Sequence, residues 1–325
     1  MSDAPPPEAN AGEPESFVIR LETGDRIHYL DWGVAADRPG APPLPPLVLL
    51  HGITQTARIW APVARRLQDV TDVIAVDLRG HGLSDPARSG YDLSSLAMDV
   101  LTVMTGHGWG DAMDGPPAVV AGHGFGAMIA ATMAALRPAS VAAIALVDGG
   151  WEDIAEATRA SQSEFLAGLA DPPEVMSSMD AFLADREAFD PATWDADQEA
   201  AARAQVDQKH AGHVGLVSRS AAVRGSVEAM YSYRPLEALT RAAVPMLVLV
   251  AEAATADDED ARERDLALDD VVRARASVGL VAPRVVRYPG SGHNLMRYRP
   301  AEVASELRAL LESVATSARM PDGPA

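Results

Sequence analysis

Short apolar runs recur along this chain, with amphipathic stretches between them. Residues 47–50 (Leu-Val-Leu-Leu), 73–76 (Val-Ile-Ala-Val), 118–121, 141–147 and 244–250 contain almost no polar side chains, and 284–288 is a less apolar sixth run. Unbroken apolar runs of this length suit strands covered on both faces. Residues 59–67, 94–108 and 125–136 have helical spacing instead, with Ser94 placed as an N-cap. Strand and helix alternate, which predicts an α/β fold with a mostly parallel central sheet flanked by helices. Such sheets bind ligands outside the carboxyl ends of their strands. Ahead of them, residues 17–21 and 26–32 flank Thr23-Gly24-Asp25 and predict an antiparallel hairpin.

The pattern changes after Asp148-Gly149-Gly150. Residues 151–236 show helical stretches broken at Pro172-Pro173 and Pro191 and no convincing strand, so they predict a helical cap inserted into the sheet. Met176, Met179, Phe182, Met230 and Tyr231 either form its core or line a pocket. The division that follows is a loose tail at 1–15, the first part of the core at 16–150, the cap at 151–236, the second part of the core at 237–315 and a second tail at 316–325. Within the second part, the acidic run Asp257-Asp258-Glu259-Asp260 opens a charged helix, and residues 302–314 form a final amphipathic one.

Composition narrows the function classes. With 27 basic against 46 acidic residues in 325, the net charge of -19 disfavours nucleic acid and anionic lipid. A small-molecule or peptide substrate is the expected partner, and oligomeric state is left open. The chain has no cysteine, which excludes disulfides, thiol nucleophiles and thiolate metal sites. His210 and His213 share a helical face without an acidic partner, so no metal is expected there, and no cofactor motif is present. The first residues lack the basic and apolar regions of an export signal, and no apolar run is long enough to span a bilayer. A cytoplasmic location is the expectation.

The candidate chemistry centres on Gly122-His123-Gly124-Phe125-Gly126. In the G-x-S-x-G elbow the central serine stands between a strand and a helix, with its oxygen over the sheet. Here that position is Gly124, which has no side chain. Together with His51-Gly52, the segment Asp77-Leu78-Arg79-Gly80-His81-Gly82-Leu83-Ser84-Asp85 and Gly290-Ser291-Gly292-His293-Asn294, the elbow frame resembles the α/β-hydrolase superfamily over residues 17–314. It resembles an atypical member without the serine nucleophile.

The resemblance implies a role for several residues. The backbone N–H groups of Ile53 and Phe125 would face a developing oxyanion. His293 would be the general base. The usual acid position falls on Ala254, leaving Asp148 at the end of the strand before the cap as the alternative, either orienting His293 or capping a turn. Glu252 would support its loop. His51, His81 and His123 read first as braces, and Arg79 as a brace acting through main chain or Asp85. Gln55, Thr56, Trp60, Trp151, Met230 and Tyr231 are candidate substrate contacts.

Acyl-enzyme chemistry requires a nucleophile that Gly124 cannot supply. Three classes remain. His293 can exchange protons with a substrate C–H or O–H in isomerisation, epimerisation, elimination or cyclisation of a small molecule or peptide natural product. It can activate water for direct hydrolysis, or the protein can bind ligand without catalysis. The first is preferred because both His293 and the oxyanion elements are retained.

Overall fold

The computed structural model describes residues 12–33, 43–208, 212–253 and 258–317. The strands are β1 (Glu15–Arg20), β2 (Arg26–Asp31), β3 (Leu47–Leu50), β4 (Val73–Val76), β5 (Ala118–His123), β6 (Val141–Val147), β7 (Val206–Gln208), β8 (Val214–Leu216), β9 (Met246–Glu252) and β10 (Arg284–Pro289). Eight of them form one sheet in the order β1-β2-β4-β3-β5-β6-β9-β10. From β4 to β10 neighbouring strands are parallel, and the β1–β2 hairpin adds antiparallel strands at one edge. Successive residues feed opposite faces. Leu47, Leu49, Val73, Ala75, Val119 and Ala121 enter one apolar cluster, while Val48, Leu50, Ile74, Val76 and Val120 enter the other. The runs have no polar positions because each strand is covered twice.

Helices α1 (Ala61–Ala64), α2 (Leu93–Gly106), α3 (Phe125–Leu136), α4 (Ile154–Thr158), α5 (Gln162–Gly168), α6 (Met179–Phe189), α7 (Ala196–Gln205), α8 (Ser220–Ser232), α9 (Pro235–Arg241), α10 (Asp258–Ser277), α11 (Leu295–Tyr298) and α12 (Pro300–Ser317) complete the chain. α2 and α3 cover the face that holds Val48, whereas α1 and α12 cover the face that holds Leu47.

Several boundaries differ from the sequence reading. The N-cap of α2 is Asp92, whose carboxylate accepts the Ser95 N–H at 3.0 Å, so Ser94 lies inside the helix. The helix expected over 59–67 is a 3-10 turn at Ala57–Trp60 followed by α1, with Pro62 in its first turn. The first tail ends earlier than 15, because β1 begins at Glu15 and Glu13 pairs with Arg58 at 3.1 Å. At the other end α12 runs through Ser317. The remainder of both tails, together with His210, Ala254 and Asp257, lies outside the described residues.

Between β6 and β9 the chain is mainly helical, but it also contains β7 and β8, an antiparallel pair that aligns Val206 with Leu216. Three residues per strand are too few to show alternation in the sequence. The pair packs with Phe182, Ala202, Met176 and Met179 in a small cluster of the cap's own. Those three predicted residues, Met176, Met179 and Phe182, therefore belong to its core.

Candidate active site

Four strand ends converge above the sheet. Gly124 follows β5 and precedes α3 with φ 51° and ψ -111°, a conformation in the left-handed range that favours glycine. The outer glycines of the frame are required by close approach. A Cβ on Gly122 would stand 2.1 Å from the Gly126 carbonyl oxygen, and one on Gly126 would stand 2.5 Å from that of Leu50. Their absence lets α3 start directly against β3. On the loop after β6, a Cβ on Gly149 would lie 2.7 Å from the Cα of Gly124, so this glycine lets Asp148 come close to the elbow.

Asp148 and His293 meet although the sequence separates them widely. The loop after β10 carries His293, and its Nδ1 lies 2.7 Å from Asp148 Oδ2. The other carboxylate oxygen accepts the Ala251 N–H at 2.8 Å and Nη2 of Arg264 at 2.7 Å. Burial favours the neutral acid, but the His293 bond and the Arg264 charge outweigh it and hold the Asp148 carboxyl below its ordinary value. The bond to Nδ1 leaves Nε2 facing the elbow: a Cβ on Gly124 would stand 3.4 Å from it. Among the described residues no hydroxyl is hydrogen-bonded to Nε2. Ser291, on the same loop, instead accepts Arg299 Nε at 2.8 Å.

The backbone N–H groups of Ile53 and Phe125 have no protein acceptor among the described residues, and both residues line a cavity of about 920 Å³ that also holds Gly124, Asp148 and His293. Ile53 follows β3, and Phe125 is the first residue of α3, where a helix leaves its N–H unpaired. His51 fixes the first of these loops. Its Nδ1 lies 2.7 Å from the Gly52 carbonyl, and its Nε2 accepts the Leu78 N–H at 3.0 Å.

His123 lies beneath the elbow and is fully buried, with Nε2 3.1 Å from the His293 carbonyl and Nδ1 3.1 Å from Gln55 Oε1. Burial pushes its imidazole down to about 3. Gln55 also accepts the Gly52 N–H and donates to Asn294 Oδ1 at 2.7 Å, which joins the loop after β3 to the loop that carries His293. Gln55 does line the cavity, but its amide is engaged in this brace.

Of the other proposed contacts, Met230 lines the cavity; Thr56, Trp60, Trp151 and Tyr231 do not. Thr56, Trp60 and Trp151 are buried in packing, with Trp151 under the Arg264 guanidinium at 5.1 Å, and Tyr231 donates to the Ala160 carbonyl at 2.7 Å. Indole rings next to a loop serve packing as readily as recognition, and here packing takes them. Arg79 is a brace through main chain, donating to the Ser89 carbonyl at 3.0 Å, and also pairs with Asp99 at 2.7 and 2.6 Å, whereas Asp85 pairs with Arg26. Glu252 pairs with Arg287 at 3.2 Å.

The sequence reading missed Arg264, Glu152, Gln198 and Arg297, which line the cavity. Arg264 joins Asp148 to Glu152, at 2.7 and 3.3 Å. Burial raises the Glu152 carboxyl despite that partner. Nothing local marks Arg264, which sits in a helix of mixed charge where an arginine reads as solvated. Among the described residues no cluster suited to a metal occurs, and no helix is long and apolar enough to cross a membrane.

Comparison with known proteins agrees with this fold. A 2-(acetamidomethylene)succinate hydrolase of Mesorhizobium japonicum is 33% identical over 146 residues, which are 44% of this chain and 49% of that protein. Lipase LipV of Mycobacterium tuberculosis is 31% identical over 161 residues, 50% of this chain and 52% of that one. The chain thus spans about half the length of these curated relatives. In solved structures, E-2-(acetamidomethylene)succinate hydrolase superposes with a TM-score of 0.71 at 22% identity, covering 92% of this chain and 100% of that one. A thioesterase domain from the curacin biosynthetic pathway gives 0.64 at 20% identity, covering 91% and 99%. Residues 47–306 match the profile of the Alpha/beta hydrolase family, which takes in every strand end described above, and the chain belongs to that family.

Proposed function

We propose that this chain is a cofactor-free enzyme that hydrolyses a carbonyl compound without a covalent intermediate, as an atypical family member lacking the serine nucleophile. The carrying observation is the open position over Gly124, 3.4 Å from His293 Nε2 at the point where a Cβ would stand. A water seated there gives its proton to Nε2 and its oxygen to the carbonyl carbon. Asp148 stabilises the imidazolium so formed. The N–H groups of Ile53 and Phe125 receive the charge on the carbonyl oxygen, in an arrangement that contributes roughly 3 kcal/mol per donor in related sites. The imidazolium then returns the proton to the leaving group as the carbonyl reforms.

Two observations favour water over a substrate C–H as the proton source, reversing the preference drawn from sequence. The His293 side chain is 61% exposed, so solvent reaches the base. An enolate route works best with water excluded. The relatives above are also named as hydrolases or a lipase. Isomerisation or cyclisation would use the same base and donors, and the open space over Gly124 admits a substrate carbon as well as a water.

Turnover of activated esters and thioesters in water enriched with heavy oxygen separates the readings. The expected product acid carries one solvent oxygen, the intact protein mass stays unchanged during turnover, and H293A lowers kcat/KM by roughly a hundredfold or more. A covalent adduct, or full activity in H293A, would overturn the proposal. Deuterium entering an unhydrolysed product would move the assignment to proton transfer, and saturable binding without turnover would leave a binding protein.

A further inference from the structure

Charges on the cavity wall are almost fully matched by partners. Asp148 and Glu152 share Arg264, Glu252 and Asp265 share Arg287, Arg186 lies against Asp171 and Asp185, and Asp260 lies 3.9 Å from Arg159. Arg297 is the exception. Its Nε donates to Thr193 Oγ1 and its Nη2 to the Asp190 main-chain oxygen, each at 2.7 Å, and the guanidinium faces the Trp194 and Tyr298 rings at 5.9 and 5.8 Å. All these partners are neutral. Among the described residues no carboxylate forms an ion pair with Arg297, and its Nη1 has no acceptor. The nearby Asp190 carboxylate accepts the Ala192 N–H at 3.2 Å.

A second observation points to the same wall. Gln198 lies one turn beyond Trp194 on α7, lines the cavity, and is only 5% exposed. Its main-chain N–H is held by Asp195 Oδ1 at 2.9 Å, but its side-chain amide has no hydrogen-bond partner among the described residues. Neither polar atom of that amide is sealed from solvent, so the amide opens onto the cavity and is free to pair with a ligand there.

We infer that Arg297 and Gln198 form a carboxylate subsite, and that the substrate carries one carboxylate on an apolar body. The rest of the wall suits that body, since Phe165, Leu169, Phe189 and Met230 line the cavity. A single carboxylate matches the unpaired Nη1 of Arg297 and one amide N–H of Gln198. A dianionic phosphate would bring a second charge that nothing on this wall meets. The inference rests on the proposed hydrolytic reading only in calling the bound molecule a substrate.

Calorimetric titration of the full chain with hexanoate and with hexanamide, at constant ionic strength, tests it without turnover. Hexanoate is expected to bind about tenfold more tightly than the amide in both the native protein and H293A. R297M should bring the two affinities within about twofold. Q198E leaves the contacts of Arg297 to Thr193 and Asp190 in place and puts a carboxylate on the wall. It should abolish or reverse the preference, and it carries the test if R297M does not fold. Equal binding of both probes by the native protein, or a preference that survives both substitutions, overturns the subsite. Loss of hydrolysis with the preference intact would count against neither, whereas hydrolysis that persists in H293A would sink only the catalytic reading.

Discussion

At residue 124 the backbone turns sharply between β5 and α3, with φ 51° and ψ -111°, and the residue is a glycine. Introducing a hydroxyl there tests whether the surrounding groups converge on that point. In G124S the new Cβ would stand 3.4 Å from His293 Nε2, within reach of a hydrogen bond from its hydroxyl. The variant is expected to take up one fluorophosphonate per chain, measured by intact mass, while the native protein takes up none. Because φ is 51°, it should also lose about 1–2 kcal/mol of stability. A folded G124S that stays unlabelled would show that the base and donors do not serve this position. The positions of Gly124, His293 and Asp148 were legible in the sequence, since each follows an apolar run within a glycine-rich turn. Arg264 and Gln198 were not legible, because their roles depend on contacts across the cavity and leave no local spacing.

At the level of elements, the strands were readable because burial on both faces removes polar residues from them. The cap was readable only in outline. β7 and β8 are too short for a period to emerge, and the turn at Ala57–Trp60 replaces a helix because Pro62 cannot donate. One long-range tie decides how the helices after the cap rejoin the sheet. Arg275, on α10, is fully buried and donates to the carbonyls of Leu239, Ala242, Val244 and Val281 at 2.6 to 3.1 Å. It thereby holds the end of α9 and the approach to β9 against α10. R275M would strand these acceptors, and a loss of about 3 kcal/mol is expected in urea unfolding. A loss below about 1 kcal/mol would mean that water satisfies the carbonyls.

For the whole molecule, buried imidazoles set the response to acid. Burial pushes His81 and His123 down to about 3, well below the value of an exposed histidine. Between about pH 6.5 and 3 the unfolded chain binds protons at these two positions and the folded chain does not. Stability therefore falls as pH drops through that window, with each group contributing a slope of up to about 1.4 kcal/mol per unit. Asp77 and Asp148, both held below their ordinary values, act in the same direction at lower pH, and their contribution is lost as pH falls through the folded value. Urea unfolding between pH 7 and 4 should show the decline, and H123Q should make it shallower. A flat profile would mean that these rings take up protons in the folded state.

The position of β10 has a separate consequence for the same molecule. Among the described residues it pairs only with β9 and forms the outer strand of the sheet, yet the loop that follows it brings His293 to Gly124 and Asp148, which follow interior strands. An outer strand opens at lower free energy than the strands it flanks. Amide exchange should therefore be faster along β10 than along β5 or β6. On gentle heating, the proposed turnover should fade while the far-ultraviolet circular dichroism still reports an intact sheet, so the contact of His293 with Asp148 would be lost by local fraying before the protein melts.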